Sequence, residues 1–284
     1  MTQVSKKTIN VGGALLELSF PRVMGILNIT PDSFYEKSRL GSLDAVLERV
    51  GTMETEGATL IDIGGYSTRP GAKEVSIQEE IDRIESIIEP VDKYFPKLII
   101  SIDTFRSKVA KRAVEKGADI INDVSGGDLD ADMFDTVAEL GVPYVLMHMR
   151  GTPQTMGELT QYDNLIPDIL KEMSRKIVAL RYKGVKDIIV DPGLGFAKSA
   201  VQNFELLRNL SEFKQLGYAV LAGISRKATI YKTLNVSADE ALNGTTVLNT
   251  VALQQGASIL RVHDVKPAVE AVKLWMATTG MNLK

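Results

Sequence analysis

The sequence contains no cysteine among its 284 residues. Disulfide bridges, thiolate metal sites and cysteine nucleophiles are therefore excluded. Long apolar runs are missing too, and none approaches the roughly 18 residues that a membrane-spanning helix needs. The opening residues, MTQVSKKTIN, carry lysines without the apolar stretch that follows them in a secretory signal. These absences predict a soluble, cytoplasmic protein that does not act on a membrane.

A large excess of charge of one sign is also absent. The net charge is −3, so bulk charge gives no reason to expect a nucleic-acid partner. Hydrophobic residues make up 44% and charged residues 24% of the chain, which is ordinary for a globular protein. No linker-like or low-complexity segment interrupts the sequence. Residues 1–284 are therefore predicted to form a single domain.

What the sequence does contain is one pattern repeated eight times: a short β-branched run that ends in polar residues or glycine, followed by an amphipathic stretch. This alternation predicts a parallel sheet with crossover helices. Eight such units favour a closed (β/α)8 TIM barrel, which typically takes about 250 residues. The alternative is an open doubly wound sheet, which usually has a glycine fingerprint after its first strand, and GILNITPDSF is not that fingerprint. The predicted strands are 22–29, 59–64, 98–103, 119–124, 143–149, 187–191, 219–224 and 258–263. The predicted helices are 42–56, 76–93, 106–116, 131–140, 164–183, 202–216, 238–255 and 266–278.

Residues 8–20, TINVGGALLELSF, precede the first barrel strand and alternate around a Gly12–Gly13 pair. A glycine pair between two short alternating runs is typical of a tight hairpin. We therefore expect an N-terminal β-hairpin that caps the bottom of the barrel.

Polar side chains lie at the C-terminal end of every predicted strand, and the strand starts show no comparable set. In a barrel these ends meet at one mouth, where the active sites of this fold lie. A single aspartate at such a position could simply cap the next helix, but eight caps of mixed chemistry are not expected. The polar residues are Asn28, Asp62, Asp103, Asn122, Asp123, His148, Asp191, Ser225, Arg226, Lys227, Arg261, His263 and Asp264.

The basic members of this set indicate an anionic, phosphorylated substrate. Arg261 and His263 are two residues apart, so both side chains point to one face of a strand. Arg226 and Lys227 follow the seventh strand, and barrels often bind phosphate near their last two strands. Because His148 is flanked by apolar residues in LMHM, it is expected to be a buried core residue rather than a catalyst.

The acidic members need an opposite explanation, because a buried carboxylate costs several kcal/mol unless donors surround it. Asp62, Asp103, Asn122 and Asp191 form this second group. A flat heterocycle with an exocyclic amine and a ring N–H offers paired donors to such a group. For Asp62 the expected partner is therefore the ligand, and the alternative is a structural network with lysine or buried water.

These residues fall in motifs that resemble the dihydropteroate synthase family of pterin-binding barrels over nearly the whole chain. There is one motif for each predicted barrel strand, in order, which makes the resemblance specific. The motifs are MGILNITPDSF (24–34), DIGGYSTRPG (62–71), SIDT (101–104), INDVSGG (121–127), MHMRGTPQTM (147–156), DPGLGF (191–196), GISRK (223–227) and RVHD (261–264).

The resemblance implies a (β/α)8 barrel that joins 6-hydroxymethyl-7,8-dihydropterin diphosphate to 4-aminobenzoate in folate synthesis. It also implies Mg²⁺ as cofactor, with Asn28 near the metal, and a homodimer formed through the later helices. Catalytic roles would fall to Asp103, Lys227, Arg261, His263 and Asn28. The pterin side would comprise Asp62, Asp103, Asn122, Asp191 and Lys227. The diphosphate side would comprise Asn28, Thr68, Arg69, Arg261 and His263. The aminobenzoate side would comprise Phe34, Pro70, Phe196, Ser225 and Lys227.

Two positions depart from the pattern expected of this family. Tyr66 stands where an acidic or amide residue is expected, and Leu194 stands where phenylalanine is common. Both concern the details of a loop and a pocket wall rather than a charged group. The alternative function is that of a pterin-binding methyltransferase that passes a folate methyl group to a corrinoid. Such an enzyme would not need Arg69, Arg261 and His263 to hold diphosphate.

Overall fold

Eight parallel strands close into a barrel in the computed structural model, which describes residues 7–29, 39–67 and 74–280. Each barrel strand pairs with the next along the chain, and the last pairs with the first. This confirms the predicted (β/α)8 TIM barrel. The hairpin strands are β1 (Thr8–Val11) and β2 (Ala14–Glu17). The barrel strands are β3 (Arg22–Asn28), β4 (Leu60–Gly64), β5 (Ile99–Asp103), β6 (Ile120–Asp123), β7 (Tyr144–Met147), β8 (Ile188–Asp191), β9 (Ala219–Ala222) and β10 (Ile259–Val262).

Helices surround the barrel, and their bounds mostly follow the amphipathic stretches. The predicted helix 202–216 is interrupted at Asn209, after which the chain forms a 3₁₀ helix, Leu210–Leu216. A short helix at Ala228–Leu234 lies where none was predicted, because seven residues are too few to show a helical period. The helices are α1 (Arg39–Glu56), α2 (Ile77–Tyr94), α3 (Ser107–Glu115), α4 (Met133–Leu140), α5 (Leu165–Tyr182), α6 (Ala200–Arg208), α7 (Ala228–Leu234), α8 (Leu242–Gln254) and α9 (Val265–Thr278).

The floor of the barrel is apolar and is closed by the β1–β2 hairpin. The hairpin turns at Gly12 and Gly13, both with positive φ, as a two-residue hairpin turn of this kind requires. Its side chains form one buried cluster with residues near the starts of the barrel strands, which confirms the predicted cap. The cluster contains Ile9, Val11, Leu16, Leu18, Met24, Leu60, Ile120, Val145, Ile189, Ala219, Leu221 and Ile259.

Strand register stacks a polar layer above this floor. Side chains alternate along a strand, so Asp62 shares a face with Leu60 two residues earlier. Asp62 pairs with Ser101 across β4 and β5, and Asp103 pairs with Asn122 across β5 and β6. The barrel therefore collects its polar residues at the C-terminal ends of its strands.

The outward faces of the strands pack against the helices in a second, larger apolar core. In the ranges that the structure describes, no helix combines the length and apolar character needed to cross a membrane.

The hairpin offers a matched test, because adjacent leucines on β2 differ in burial. Leu16 is 9% exposed and Leu15 is 72% exposed. We expect Leu16→Ala to lower the free energy of unfolding by about 2–3 kcal/mol, since it leaves a cavity in the floor. Leu15→Ala should change it by less than about 0.5 kcal/mol. Urea unfolding followed by circular dichroism measures both, and equal losses would show that the hairpin does not seal the barrel.

Candidate active site

Asp62 lies at the centre of the polar layer and has no exposed surface. Its Oδ1 accepts a hydrogen bond from Ser101 Oγ at 2.6 Å, and its Oδ2 accepts from Asn122 Nδ2 at 2.9 Å and Arg261 Nε at 2.6 Å. The protein itself therefore satisfies this carboxylate. A structural network of the kind given as the alternative is therefore present, with arginine in place of lysine. A ligand as a further partner of Asp62 stays a prediction.

Arg261 joins two carboxylates that would otherwise repel each other. Its Nε binds Asp62, and its Nη2 donates to Asp103 Oδ2 at 2.7 Å. Burial raises the pKa of Asp103 to about 7, although the Arg261 guanidinium opposes that shift. Burial alone would lower the pKa of Arg261, but the two carboxylates outweigh it and the pKa is raised. About 19% of the Arg261 side chain remains exposed, so the guanidinium is not sealed from the mouth.

Asn28 lies at the end of β3, level with Gly64 on β4, which in turn is level with Asp103 on β5. A Cβ atom on Gly64 would lie 3.5 Å from Asn28 Oδ1 and 3.6 Å from Asp103 Cβ. Asn28 is exposed, unlike the rest of this layer. Its amide is thus open to the mouth beside the Asp62–Asp103 cluster.

Asp191 and Lys227 form the opposite side of the mouth. Asp191 Oδ1 accepts the backbone N–H of Gly193 at 2.8 Å. Burial raises the pKa of Asp191, against the opposing charges of Lys227 and Arg261. Burial also lowers the pKa of Lys227 to about 8, against the pull of Asp191. The charges of Arg261 and Lys227 therefore both act on Asp191 across the barrel interior.

Lys227 also contacts Phe196, which is predicted to line the aminobenzoate site. Its ammonium donates to the Leu194 carbonyl and lies 4.5 Å from the centroid of the Phe196 ring. Leu194, one of the two positions that depart from the family pattern, is 1% exposed. Its backbone carbonyl thus serves as the acceptor for Lys227, and its side chain packs in the core.

Ser225 and His263 meet where the last two strands end. Ser225 Oγ lies 3.0 Å from His263 Nδ1 and accepts the His263 backbone N–H at 3.2 Å. Arg49 Nη2 donates to the His263 carbonyl at 2.9 Å, which fixes this end of β10 from α1. The pair is therefore held together, as expected for residues of neighbouring strands.

Arg226 is not among the mouth residues, although its sequence position suggested an anion contact. Its guanidinium binds Asp264 through Nε at 2.7 Å and Nη2 at 2.9 Å, and Nη1 donates to two backbone carbonyls of residues 238 and 239. Its backbone is left-handed, with φ at 52°, so the chain turns here. Arg226 therefore anchors a loop.

Four predicted site residues lie outside the described residues: Phe34, Thr68, Arg69 and Pro70. The neighbouring Tyr66 is described, and it is 7% exposed. Its ring packs edge-to-face on Phe105 at 5.3 Å, with the Arg106 guanidinium 5.1 Å from its centroid. Tyr66 thus packs against the residues that follow β5.

Two residues of the site were missed from the sequence. Ser101 lies two positions before Asp103 on the same face of β5, so the strand period alone could have found it. Lys198 lies two residues beyond the DPGLGF motif and is 9% exposed. Its ammonium contacts the carbonyls of Gly193 and Phe196 and the ring of His148. No local pattern marks a lysine in a loop as buried.

His148 is buried and has a partner on both sides of its ring, as expected for a core histidine. Its Nε2 lies 3.0 Å from Glu172 Oε2, and its Nδ1 lies 3.1 Å from Lys198 Nζ. Burial lowers the pKa of His148 to about 4. The imidazole is therefore neutral at neutral pH and has no exposed face for catalysis.

The arrangement sets carboxylates and cations at the C-terminal mouth of one barrel. Asp103 and Asp191 can accept hydrogen bonds from a polar heterocycle, because carboxylates are acceptors with several lone pairs. Arg261, Lys227 and the Ser225–His263 pair offer donors to an anionic group. Such a mouth can hold a molecule that has a nitrogen-rich ring at one end and negative charge at the other.

Comparisons with known proteins agree with this description. Residues 24–263 match the family described as pterin binding enzyme. The chain is 43% identical to dihydropteroate synthase of Haemophilus influenzae over 267 residues, which cover 93% of this chain and 96% of that protein.

Solved structures give the same picture. The dihydropteroate synthase of Yersinia pestis with a sulfonamide drug complex superposes with a TM-score of 0.90 at 39% identity, covering 96% of this chain and 99% of that one. The dihydropteroate synthase of Xanthomonas albilineans with 4-aminobenzoic acid gives a TM-score of 0.90 at 37% identity, covering 98% of this chain and 100% of that one.

The Asp62–Arg261 pair can be tested with a double-mutant cycle. We expect Asp62→Asn and Arg261→Met each to cost about 3–5 kcal/mol of unfolding free energy, because each leaves a buried charge without its partner. The double variant should cost less than the sum by about 1–3 kcal/mol. Urea unfolding measures the cycle.

The exposed pair Lys111–Glu139, at 3.2 Å with side chains 49% and 69% exposed, is the control. Its coupling energy should stay below about 1 kcal/mol. Additive losses for Asp62 and Arg261 would mean that the guanidinium is not the partner of this carboxylate.

Proposed function

The chain belongs to the dihydropteroate synthases, a family of pterin-binding enzymes, and we propose that it condenses 6-hydroxymethyl-7,8-dihydropterin diphosphate with 4-aminobenzoate. The products are 7,8-dihydropteroate and pyrophosphate, and the reaction is a transfer of the dihydropterin-methyl group in folate biosynthesis. The observation that carries this proposal is the pairing of acidic acceptors with Arg261 and Lys227 at one mouth, in a chain similar to these synthases over nearly its whole length.

The pterin ring is assigned to the acidic side of the mouth. Asp191 offers a carboxylate to the amine and ring N–H of the pterin, and Lys227 supplies a donor to its acceptor atoms. Asn122 and Asp103 lie on the neighbouring strands β6 and β5. Asp62 contributes indirectly, because its bonds to Asn122 and Arg261 fix both side chains.

The diphosphate is assigned to the basic side. Arg261 and His263 share one strand face, and Asn28 ends the neighbouring strand β3. Thr68 and Arg69 keep their predicted roles at the diphosphate, and Phe34 and Pro70 keep theirs at the aminobenzoate, a role they share with Phe196 and Ser225. The carboxylate of 4-aminobenzoate would be held by the donors near Ser225.

Mg²⁺ is the proposed cofactor, with Asn28 as its protein contact. Among the described residues, no cluster of three histidine or acidic side chains could hold a metal. That fits Mg²⁺, which usually keeps several waters and binds through substrate phosphates with only one or two protein groups. Bound there, the ion would stabilise negative charge on the leaving diphosphate.

The proposed mechanism is dissociative. The bond between the methylene carbon and the diphosphate oxygen breaks, and its electron pair leaves with the diphosphate. Arg261 and His263 stabilise that charge, while Asp103 stabilises the carbocation delocalised into the dihydropterin ring. The amine nitrogen of 4-aminobenzoate then bonds to the carbon and loses a proton to water. A cation needs no strong nucleophile, which suits an aromatic amine.

The first test is a pyrophosphate-release assay with both substrates and Mg²⁺. The wild-type protein should release pyrophosphate only when both substrates are present. Asp191→Asn should weaken binding of the pterin diphosphate by about 10–100-fold in calorimetry, because buried polar groups lose a charged partner. The control Asp135→Asn removes a surface ion pair with Lys183 and should leave binding unchanged. A wild-type protein that releases no pyrophosphate would refute the proposed reaction.

The order of bond breaking is tested by positional isotope exchange. We expect an oxygen label in the bridging position of the pterin diphosphate to scramble on the enzyme without aminobenzoate, because the cation forms and recombines. A label that stays in the bridging position without aminobenzoate, together with a rate that depends strongly on the nucleophilicity of the amine, would instead indicate direct displacement.

A homodimer through the later helices is proposed as the assembly. Its support is a groove of about 760 Å³ between α8 and α9, lined by Leu242, Leu274 and Trp275 among others. Leu274 is 71% exposed, and apolar side chains gathered around a groove often mark an interface.

Sedimentation equilibrium should give a dimer that Leu274→Glu weakens. Val178→Glu, at a site on α5 that is 68% exposed, is the control and should leave the dimer intact. Sedimentation of the unmodified chain as a monomer would contradict the proposal.

A further inference from the structure

We propose that Lys198 is a positioning residue that holds the segment after β8, so that Asp191 faces the pterin and Phe196 faces the aminobenzoate. This inference rests on the proposed function, because it uses the roles assigned there to Asp191 and Phe196. Lys198 itself has no role among the substrate contacts.

The ammonium of Lys198 uses all three of its donors inside the protein. It lies 3.1 Å from His148 Nδ1, 3.0 Å from the Gly193 carbonyl and 2.9 Å from the Phe196 carbonyl. A lysine ammonium has three N–H donors, so the three acceptors match it completely. Because the residue is 9% exposed, water does not compete with these bonds. One side chain thus ties together both ends of the Gly193–Phe196 segment.

His148 presents an acceptor to Lys198 because of the bond on its other side. A carboxylate only accepts hydrogen bonds, so the 3.0 Å contact with Glu172 Oε2 places the ring proton on Nε2. The neutral ring then has a lone pair on Nδ1, which faces Lys198 Nζ. Glu172, on α5, also binds the Arg150 guanidinium. A series of contacts therefore runs from Glu172 on α5 through the buried side chains of His148 and Lys198 to the Gly193–Phe196 segment. We call this series of contacts the Lys198 tether.

Gly193 carries the effect of Lys198 to Asp191. Its carbonyl accepts the ammonium, and its own N–H donates to Asp191 Oδ1 at 2.8 Å. Its backbone is left-handed at φ 74°, and a Cβ there would lie 2.0 Å from the His148 carbonyl oxygen. Only glycine fits such a position. The orientation of the Asp191 carboxylate therefore depends on the backbone of Gly193, which Lys198 holds through the Gly193 carbonyl.

Lys198 also holds the backbone of Phe196, a residue assigned to the aminobenzoate site. Lys198 holds the Phe196 carbonyl, and Tyr162 donates from Oη to the Ala197 carbonyl at 3.0 Å. Ala197 has a left-handed φ of 49°, so the chain reverses directly after Phe196. The Phe196 ring is thereby held 4.5 Å from the Lys227 ammonium. Loss of the tether should disturb both substrate sites together.

Lys176 gives a matched control from the same helix as Glu172. Its ammonium also holds a loop, through the Ser125 carbonyl at 3.3 Å and Asp128 at 2.6 Å. That loop follows β6 and carries no residue assigned to a substrate. Lys176→Met therefore removes a similar lysine contact to a loop and leaves the contacts of Lys198 in place.

The experiment compares Lys198→Met with Lys176→Met and the wild-type protein. Calorimetry gives the Kd for the pterin diphosphate, steady-state assays give kcat and the KM for 4-aminobenzoate, and thermal unfolding gives Tm. For Lys198→Met we expect both the Kd and the KM to rise at least about tenfold, because misplaced contact groups weaken both sites, with a smaller change in kcat. Lys176→Met should leave both constants within about twofold. The proposal would be overturned if the Kd and the KM of Lys198→Met stayed within about twofold of the wild-type values, whatever its Tm. It would also be overturned if Lys176→Met raised both constants as much as Lys198→Met does.

A second pair of variants decides the matter if Lys198→Met does not fold. In His148→Asn, the amide oxygen can take the place of Nδ1 as acceptor for Lys198, whereas His148→Leu offers no acceptor. We expect near wild-type Kd and KM for the asparagine variant and raised values for the leucine variant. The same values in both variants would contradict a role for this bond.

The two proposals fail in different ways. A wild-type protein that releases no pyrophosphate would refute the proposed reaction. Hydrogen exchange at the Gly193 amide still tests the tether without any substrate. Exchange should be faster in Lys198→Met than in the wild type or Lys176→Met, and an unchanged rate would refute the tether.

Discussion

One arginine makes the interior of this barrel possible. Asp62 has no exposed surface and Asp103 is nearly as buried, so the two carboxylates need charged donors close by. Arg261 supplies them with a single guanidinium, through Nε to one and Nη2 to the other. Its fixed fork suits this task better than a lysine, because two N–H groups point in defined directions. Without it, neighbouring strands would bring like charges together in a space with little water.

The barrel separates the part that stabilises the fold from the part assigned to chemistry. The floor is an apolar cluster sealed by the hairpin, and the polar layer begins one side-chain step above it. The same strand alternation that places Leu60 in the floor places Asp62 in the layer above. Asp123 shows how sharp this division is. It follows Asn122 directly but points to the other face, where Ser125 and Tyr144 donate to it.

Prediction from the sequence succeeded where a local pattern carries the structure. The eight strands were found with bounds too long by one or two residues at most of their ends, since flanking residues share the strand composition. The hairpin was found because its glycine pair allows positive φ. Arg226 was misplaced because its partners, Asp264 and the carbonyls of residues 238 and 239, come from other segments. The role of Lys198 was missed because its burial depends on β7 and α5, not on its neighbours.

The sequence by itself determined the strand order, the closed barrel and the grouping of polar residues at one mouth. Those features follow from side-chain periodicity and from the rule that parallel strands end at the same edge of a sheet. Only the tertiary structure decided which charges pair. Asp62 and Arg261 are 199 residues apart in the chain, and the local sequence around either residue does not predict the other as its partner. Closure of the barrel, by placing β10 beside β3, brings them within hydrogen-bonding distance and fixes the electrostatics of the site.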